Sequence, residues 1–321
     1  MTSRAITIFV TLTSLLFATV AGAQNYPNRP VRLIVPFGAG STADIIARVI
    51  GSSLSKELAQ QIVVENKPGA GGTIGGAEAA RAAPDGYTLV LGTVASHGVG
   101  PLTMKDVAYD PVKSVQPITL IANVPSLIAV HQSLPIKNIA ELVSFLKQNP
   151  SYNFTSAGPG TTAHLAGESF SQKLGLNLVH VPYKTAGQAI TDSISGQVKV
   201  IVYQLGSLKP HIDSGALRAI AAVSAHRIAA LPNIPTVSET VIPGFDFAPW
   251  FGLMAPAGTP RPLVDRLHNI VHKTIESPEM KKQFDSQGME PVGYGPDKFQ
   301  EFMRADLQRW RDVIQATGLK Q

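Results

Sequence analysis

Hydrophobic positions in this chain fall into short continuous runs separated by segments of helical spacing. Val31-Arg32-Leu33-Ile34-Val35 reads as a buried strand, and Ile45-Ile46-Ala47-Arg48-Val49-Ile50, just after it, reads as a helix. Ile62-Val63-Val64 is the next strand. A glycine turn, Asn66 to Gly72, then leads into a small-residue helix over Ala77 to Ala82, which Pro84-Asp85-Gly86 stops, and Tyr87 to Leu91 makes a third strand. Further on, the pattern predicts a helix over Ile139 to Leu146, a strand over Tyr152 to Thr155, and a helix through Leu165, Phe170 and Leu174. Strands at Leu178 to Lys184, Val198 to Tyr203 and Leu217 to Val223 follow, with a helix over 186 to 194 between the first two, and helices at 261 to 275, 279 to 286 and 297 to 316 close the chain. Two long apolar runs, Ile118 to Val130 broken at Pro125, and Phe247 to Pro256, suit strands that cross between two lobes.

The predicted organisation is therefore α/β, with two lobes hinged about paired crossings and a cleft between them. The expected boundaries are 24–124 with 249–321 for the first lobe and 125–248 for the second.

The segment joining the first strand to the first helix, Pro36-Phe37-Gly38-Ala39-Gly40-Ser41-Thr42-Ala43-Asp44, carries the chemistry. Glycines let the backbone approach a ligand, a helix start leaves amide N–H groups without intrahelical partners, and Ser41 and Thr42 add hydroxyls. Such a turn holds a carboxylate or phosphate without arginine or lysine. Two chemistries fit it. Gly38-x-Gly40-x-x-Ala43, with Glu65 ending the next strand, matches a dinucleotide-binding fingerprint and implies an NAD-linked oxidoreductase. The other is an anion turn at the mouth of a solute-binding cleft. The second fits the rest of the chain better, because Ser156-Ala157-Gly158-Pro159-Gly160-Thr161-Thr162 repeats the arrangement after a strand in the second lobe. One nucleotide needs one such turn, whereas a solute between two lobes profits from one on each side. Thr93-Val94-Ala95-Ser96-His97 also lies beyond the carboxyl end of a strand, where ligand groups collect in open α/β sheets.

Composition narrows the alternatives. The 321 residues are 44% hydrophobic and 15% charged, which supports full globular cores, and the net charge of +5 is spread thinly, without a basic run for nucleic acid. Arg4, the apolar run Ile6 to Val20 and Ala21-Gly22-Ala23 predict a secretory signal cleaved after Ala23, hence a periplasmic protein. Cysteine is absent, which removes disulfides, thiolate catalysis and thiolate metal sites. There is no G-x-S-x-G elbow, H-E-x-x-H helix or Walker lysine, so neither a catalytic centre, a metal nor a cofactor is expected. His268 and His272 read as a solvent-facing helix pair. His97 and His164 either lean toward the cleft or hold their own loops, and Asp44 is explained by the dipole of the helix it opens.

Several motifs together resemble the Bug family, the extracytoplasmic solute receptors of tripartite tricarboxylate transporters. They are Tyr26-Pro27-x-x-Pro30 through Phe37, Val64 to Gly72, Ala83 to Leu89, Tyr109 to Lys113, Ser156-Ala157-Gly158-x-Gly160-Thr161, His180 to Lys184, Leu231 to Thr236 and Trp250 to Leu253. The resemblance implies a two-lobed periplasmic binding protein of the type II arrangement, working as a monomer. It would close over a small carboxylate and present it to membrane permease subunits, or report its ligand to a signalling partner. It also implies that the turns matching Phe37 to Thr42 and Ser156 to Thr162 hold the carboxylate, and that the segment matching Thr93 to His97 lines the cleft. Tyr203-Gln204 stand where many relatives carry Asp-Asn. That removes an acid able to pair with an ammonium and implies a carboxylate without an amino group, with Tyr203 either stacking on a ring of the ligand or packing in the core. Gly100 and Thr185 also depart from frequent family residues.

Overall fold

The computed structural model describes residues 26–317 apart from 160, 184 and 287; the expected signal segment with its cleavage site, Gly160 and Lys184 lie outside the described residues. β1 (Val31–Val35) is apolar throughout its buried positions because both of its faces are covered. Val31, Leu33 and Val35 share a core with Ile46, Ile50 and Leu54 of α1 (Thr42–Leu58), while Ile34 faces the opposite core with Ala79 of α2 (Thr73–Ala80). α1 forms because Ser41 caps its start and the four-residue spacing of Ile46, Ile50, Leu54 and Leu58 gives one apolar stripe; it stops at Ala59, which is left-handed at φ 51°.

β1 pairs in parallel with β2 (Ile62–Asn66) on one side and β3 (Thr88–Thr93) on the other. β4 (Val115–Asn123) ends the first passage through this lobe, and β5 (Ser126–His131) begins the second lobe. There α3 (Ile139–Gln148), β6 (Tyr152–Thr155), α4 (Thr162–Lys173), β7 (Leu178–Val181), α5 (Ala186–Ile194), β8 (Val200–Gln204), α6 (Leu205–Asp213) and β9 (Leu217–Ala222) follow. β10 (Trp250–Pro256) returns to the first sheet, completed by α7 (Arg261–Glu276), α8 (Pro278–Ser286), β11 (Glu290–Tyr294) and α9 (Pro296–Thr317).

The first sheet runs β11-β4-β10-β3-β1-β2 and the second β7-β6-β8-β5-β9. The two have the same plan. Each has three parallel strands, β2-β1-β3 in one and β7-β6-β8 in the other, followed by an antiparallel strand entering from the opposite crossing, β10 in the first and β5 in the second. β1 thus corresponds to β6, β2 to β7, and β3 to β8. The crossings lie side by side, since the Val124 N–H donates to the Pro249 carbonyl at 2.8 Å. Just beyond the return crossing, the buried Asp306 carboxylate of α9 accepts from the indole N–H of Trp250 at 2.7 Å and of Trp310 at 3.1 Å, and Arg309 donates to its other oxygen. The start of β10 is thereby fixed to the first lobe.

Two features depart from the sequence reading. β11 was not expected, because Glu290-Pro291-Val292-Gly293-Tyr294 carries a proline and a glycine; it is an edge strand whose pairing with β4 slips register, a place where both residues are tolerated. Nor was a helical path expected after β3: Ala95–Val99 makes a fully buried π-helical turn that continues into a helical turn at Gly100–Thr103.

Candidate functional site

The carboxyl ends of the parallel strands in both sheets open onto one cavity of about 950 Å³. The first lobe supplies Phe37 through Ala43, Pro68 through Gly72 and Thr93 through Ala95, and the second supplies Ala157 through Pro159, Thr161, Thr162, Tyr203 and Gln204. Pro249 and Phe251 of the return crossing form part of the wall.

The two anion turns share three hydrogen bonds. In the first, the Ser41 N–H donates to Gly38 O at 3.3 Å, the Asp44 N–H to Ser41 Oγ at 3.3 Å, and the Ile45 N–H to Ser41 O at 3.0 Å. In the second, the Thr161 N–H donates to Gly158 O at 3.3 Å, the His164 N–H to Thr161 Oγ1 at 3.3 Å, and the Leu165 N–H to Thr161 O at 3.0 Å. Ser41 and Thr161 are therefore the N-caps of α1 and α4, and each turn leaves the next two amides, Thr42 and Ala43 or Thr162 and Ala163, without an acceptor among the described residues. In the first turn Gly40 adopts φ 77°, a conformation that glycine takes without strain, and its N–H points back to the Asp44 carboxylate at 2.9 Å. Burial pushes the Asp44 pKa up, but hydrogen bonds from Arg48, Gly40 and Asn66 outweigh it and hold the group below its ordinary value. Asp44 stays ionised to brace the turn.

A second pair of segments repeats the symmetry. Pro68–Gly72 follows β2 and leads to α2; Pro182, Tyr183, Thr185 and Gly187 follow β7 and open α5, whose N-cap is Thr185. The sequence reading gave these no ligand role. The signal was present, because each lies at the end of the strand beside its lobe's anion turn. None of the described lining residues carries a formal charge. What faces the cavity is a set of helix starts, each carrying about half a positive charge, with hydroxyls and apolar walls from Phe37, Tyr203 and Phe251. Among the described residues, no group of three or more histidine, cysteine, aspartate or glutamate side chains is placed to hold a metal ion.

Of the residues expected to bind ligand, Phe37, Gly38, Ala39, Gly40, Ser41, Thr42, Thr93, Ala157, Thr161, Thr162, Tyr203 and Gln204 surround the cavity. Tyr203 does so from within a core that includes Leu127, Leu205 and Leu208. Ser96, His97 and Ser156 do not line it. The π-helical turn folds Ser96 and His97 inward: Ser96 Oγ accepts from the Thr93 N–H, His97 Nδ1 lies 2.9 Å from Ser96 Oγ, and the His97 ring meets Tyr109 edge-on. Burial lowers the His97 pKa to about 4, so it is neutral. Ser156 Oγ accepts the Gly158 N–H and lies 2.9 Å from His180 Nε2, bracing the second turn from behind. The Thr161 hydroxyl is also committed, since it donates to Gly158 O at 2.7 Å besides capping α4. His164 lies against His180, with ring centroids 4.2 Å apart, and is not among the lining residues. His268 is not solvent-facing as expected; it is half-buried with Nδ1 at 2.8 Å from Thr119 Oγ1, because its side of α7 packs on β4, while His272 is exposed.

Glu65, the acid required by the dinucleotide reading, is engaged elsewhere. Arg32 donates to both of its oxygens at 2.9 and 2.8 Å, which holds its pKa below the usual range, and it does not line the cavity. A family model described as tripartite tricarboxylate transporter family receptor matches residues 46–319. The chain belongs to that family. Three solved structures share the fold of this receptor over nearly their whole length. Periplasmic binding protein BugD is 34% identical with a TM-score of 0.86, over 92% of this chain and 99% of BugD. R. palustris Rpa4515 with adipate is 34% identical with a TM-score of 0.87, over 91% and 98% of the two chains. MatC from Rhodopseudomonas palustris with bound malate is 30% identical with a TM-score of 0.84, over 90% and 100%. BugD is a periplasmic binding protein, and the other two structures hold a carboxylate.

Proposed function

We propose that this receptor captures a small carboxylate between its lobes, residues 24–124 with 249–321 and residues 125–248, and presents the closed form to the permease subunits of a tripartite tricarboxylate transporter. The observation that carries this reading is the pair of anion turns with matching hydrogen bonds, one per lobe, facing one cavity without formal charge among its described lining residues. A carboxylate held there gains donors from both sides at once. That differential contact favours the closed arrangement over the open one. One cross-lobe contact already stands beside the first turn, where Thr42 Oγ1 lies 3.4 Å from Ser207 Oγ of α6. The cycle is binding and release, with no bond made or broken, and the adipate and malate of its structural relatives support carboxylates as the ligand class. Export to the periplasm, with cleavage after Ala23, belongs to the same reading.

A thermal-shift screen of the mature protein against mono- and dicarboxylates, with NAD as the competing arm, tests it. At least one carboxylate should raise Tm by several degrees while NAD does not. Stabilisation by NAD and by no carboxylate would overturn the reading.

A further inference from the structure

At the end of β8 the cavity wall holds a polar group with nothing to bond. Gln204 is 92% buried, yet among the described residues its Oε1 has no hydrogen-bond partner, and it has no solvent contact. Directly opposite across the β5–β8 pair stands Ser126, whose Oγ is also buried and without a partner among the described residues, so the two do not satisfy each other. Gln204 occupies the N-cap position of α6, but its side chain makes no capping bond; the first amide of that helix, Leu205 N–H, donates to Pro125 O at 2.9 Å instead. The carboxamide is thus free of any role in secondary structure, and the residue lines the ligand cavity; Oε1 itself is turned away from open space there, so a rotation of the side chain brings it to a ligand. Buried acceptors left without a donor are uncommon in folded proteins and are costly to maintain. They are relieved when a ligand brings the missing hydrogen.

We infer that Gln204 is a specificity-determining residue that selects carboxylates bearing a neutral hydrogen-bond donor, a hydroxyl or an amide N–H, on the part of the molecule that reaches the end of β8. The charge of the surroundings sets the kind of donor. An ammonium would also donate, but no acidic residue stands among the described lining residues to balance its charge, and desolvating an unpaired cation is heavily penalised. A site built to bond a hydroxyl rejects the analogue lacking it, because binding that analogue seals the acceptor away from any donor. The anion turns hold the carboxylate and Gln204 reads a second group on the same ligand, so the selectivity builds on the carboxylate-capture reading above.

Titration calorimetry with matched pairs tests the inference: succinate against malate, glutarate against 2-hydroxyglutarate, succinate against succinamate, and benzoate against 4-hydroxybenzoate. In the wild-type protein, at least one donor-bearing member should bind about tenfold or more tightly than its unsubstituted partner, equivalent to about 1.4 kcal/mol. Gln204→Leu should bring that pair to near-equal affinity, chiefly by weakening the donor-bearing member, and should leave the ligand-free Tm unchanged or raised because a stranded polar group is removed. Equal affinity within every pair in the wild type overturns the inference while leaving carboxylate capture standing, as does a preference that survives in Gln204→Leu. A preference for the unsubstituted members means that the carboxamide presents its NH2 instead, and also overturns it. Binding of none of these compounds, with none in the wider thermal-shift screen, overturns carboxylate capture and the inference together.

Discussion

Thr161 and Thr162 are neighbours in sequence, both line the cavity, and both are nearly buried, yet the same substitution should act on them in opposite ways. Valine keeps the branched shape and removes the hydroxyl. At position 161 that hydroxyl accepts the His164 N–H at 3.3 Å and donates to Gly158 O at 2.7 Å. Thr161→Val therefore strands the third amide of α4 and loosens the turn before it. Loss of an N-cap costs about 1 kcal/mol, within a range of roughly 0.5–2, and the second bond adds about 1 kcal/mol more. A total of about 2 kcal/mol corresponds to a Tm decrease of roughly 4–8 °C at the sensitivity of a domain of about 150–250 residues. Among the described residues Thr162 Oγ1 has no hydrogen-bond partner, so Thr162→Val breaks no bond to any of them and should shift Tm by about 1 °C or less. Its effect belongs to the ligand. Removing one donor to a bound carboxylate should weaken binding by about 1.5–3 kcal/mol, roughly 10- to 150-fold. Thermal melting of the ligand-free variants, followed by calorimetry with the carboxylate that stabilises the wild type most, separates the two effects. A Tm unchanged in Thr161→Val would refute the assignment of Thr161 as the cap, and unaltered affinity in Thr162→Val would refute the placement of the carboxylate at the second turn.

Two further outcomes follow from buried polar groups. Asp306→Ala leaves the indole N–H groups of Trp250 and Trp310 and the Arg309 guanidinium without their shared acceptor, and should cost about 3–5 kcal/mol in denaturant unfolding, with Asp306→Asn costing less; a loss below about 1 kcal/mol would show that this carboxylate does not anchor β10. Burial lowers His97 and His180 from the ordinary value of 6.5 to about 4, the positive field of His164 adding to the effect at His180 and Glu168 opposing it. The unfolded chain therefore takes up these protons first as pH falls. Their contribution to stability is complete above about pH 6.5 and is lost toward pH 4, reaching about 3 kcal/mol for the fully buried His97. Tm measured from pH 7.5 to 4.5 should fall across that window, and imidazole titrations followed by NMR should show neither ring charging above pH 5.5; a stability maximum near pH 5 would contradict both assignments.

The strands, most helices and the two anion turns are legible in the chain because they rest on local rules. Val31–Val35 is apolar throughout its buried positions as a two-sided buried strand must be, and glycine with a hydroxyl residue before an apolar helix marks a start whose first amides are free. The same local rules point to Gly38–Thr42 and Ala157–Thr162 together, since the second segment repeats the composition of the first. What each hydroxyl does was not legible. Ser41, Ser156, Thr161 and Thr162 are alike as residue types; only the chain path makes Ser41 and Thr161 caps, turns Ser156 back toward His180 and leaves the Thr162 hydroxyl without a bond to any described residue. Ser96 and His97 follow a strand end just as the anion turns do, but packing against Tyr109 winds them into a buried π-helical turn, a tertiary demand with no local signature. Gln204 makes the same point most sharply, because an unbonded acceptor exists only once every neighbour has been placed and found to offer no donor. Sequence alone determined where backbone amides would be left free, since capping and helix starts are set within a few residues. Tertiary structure alone decided which of those groups share a cavity, because that depends on the strand ends of two sheets of like plan being brought to face each other by crossings more than a hundred residues apart.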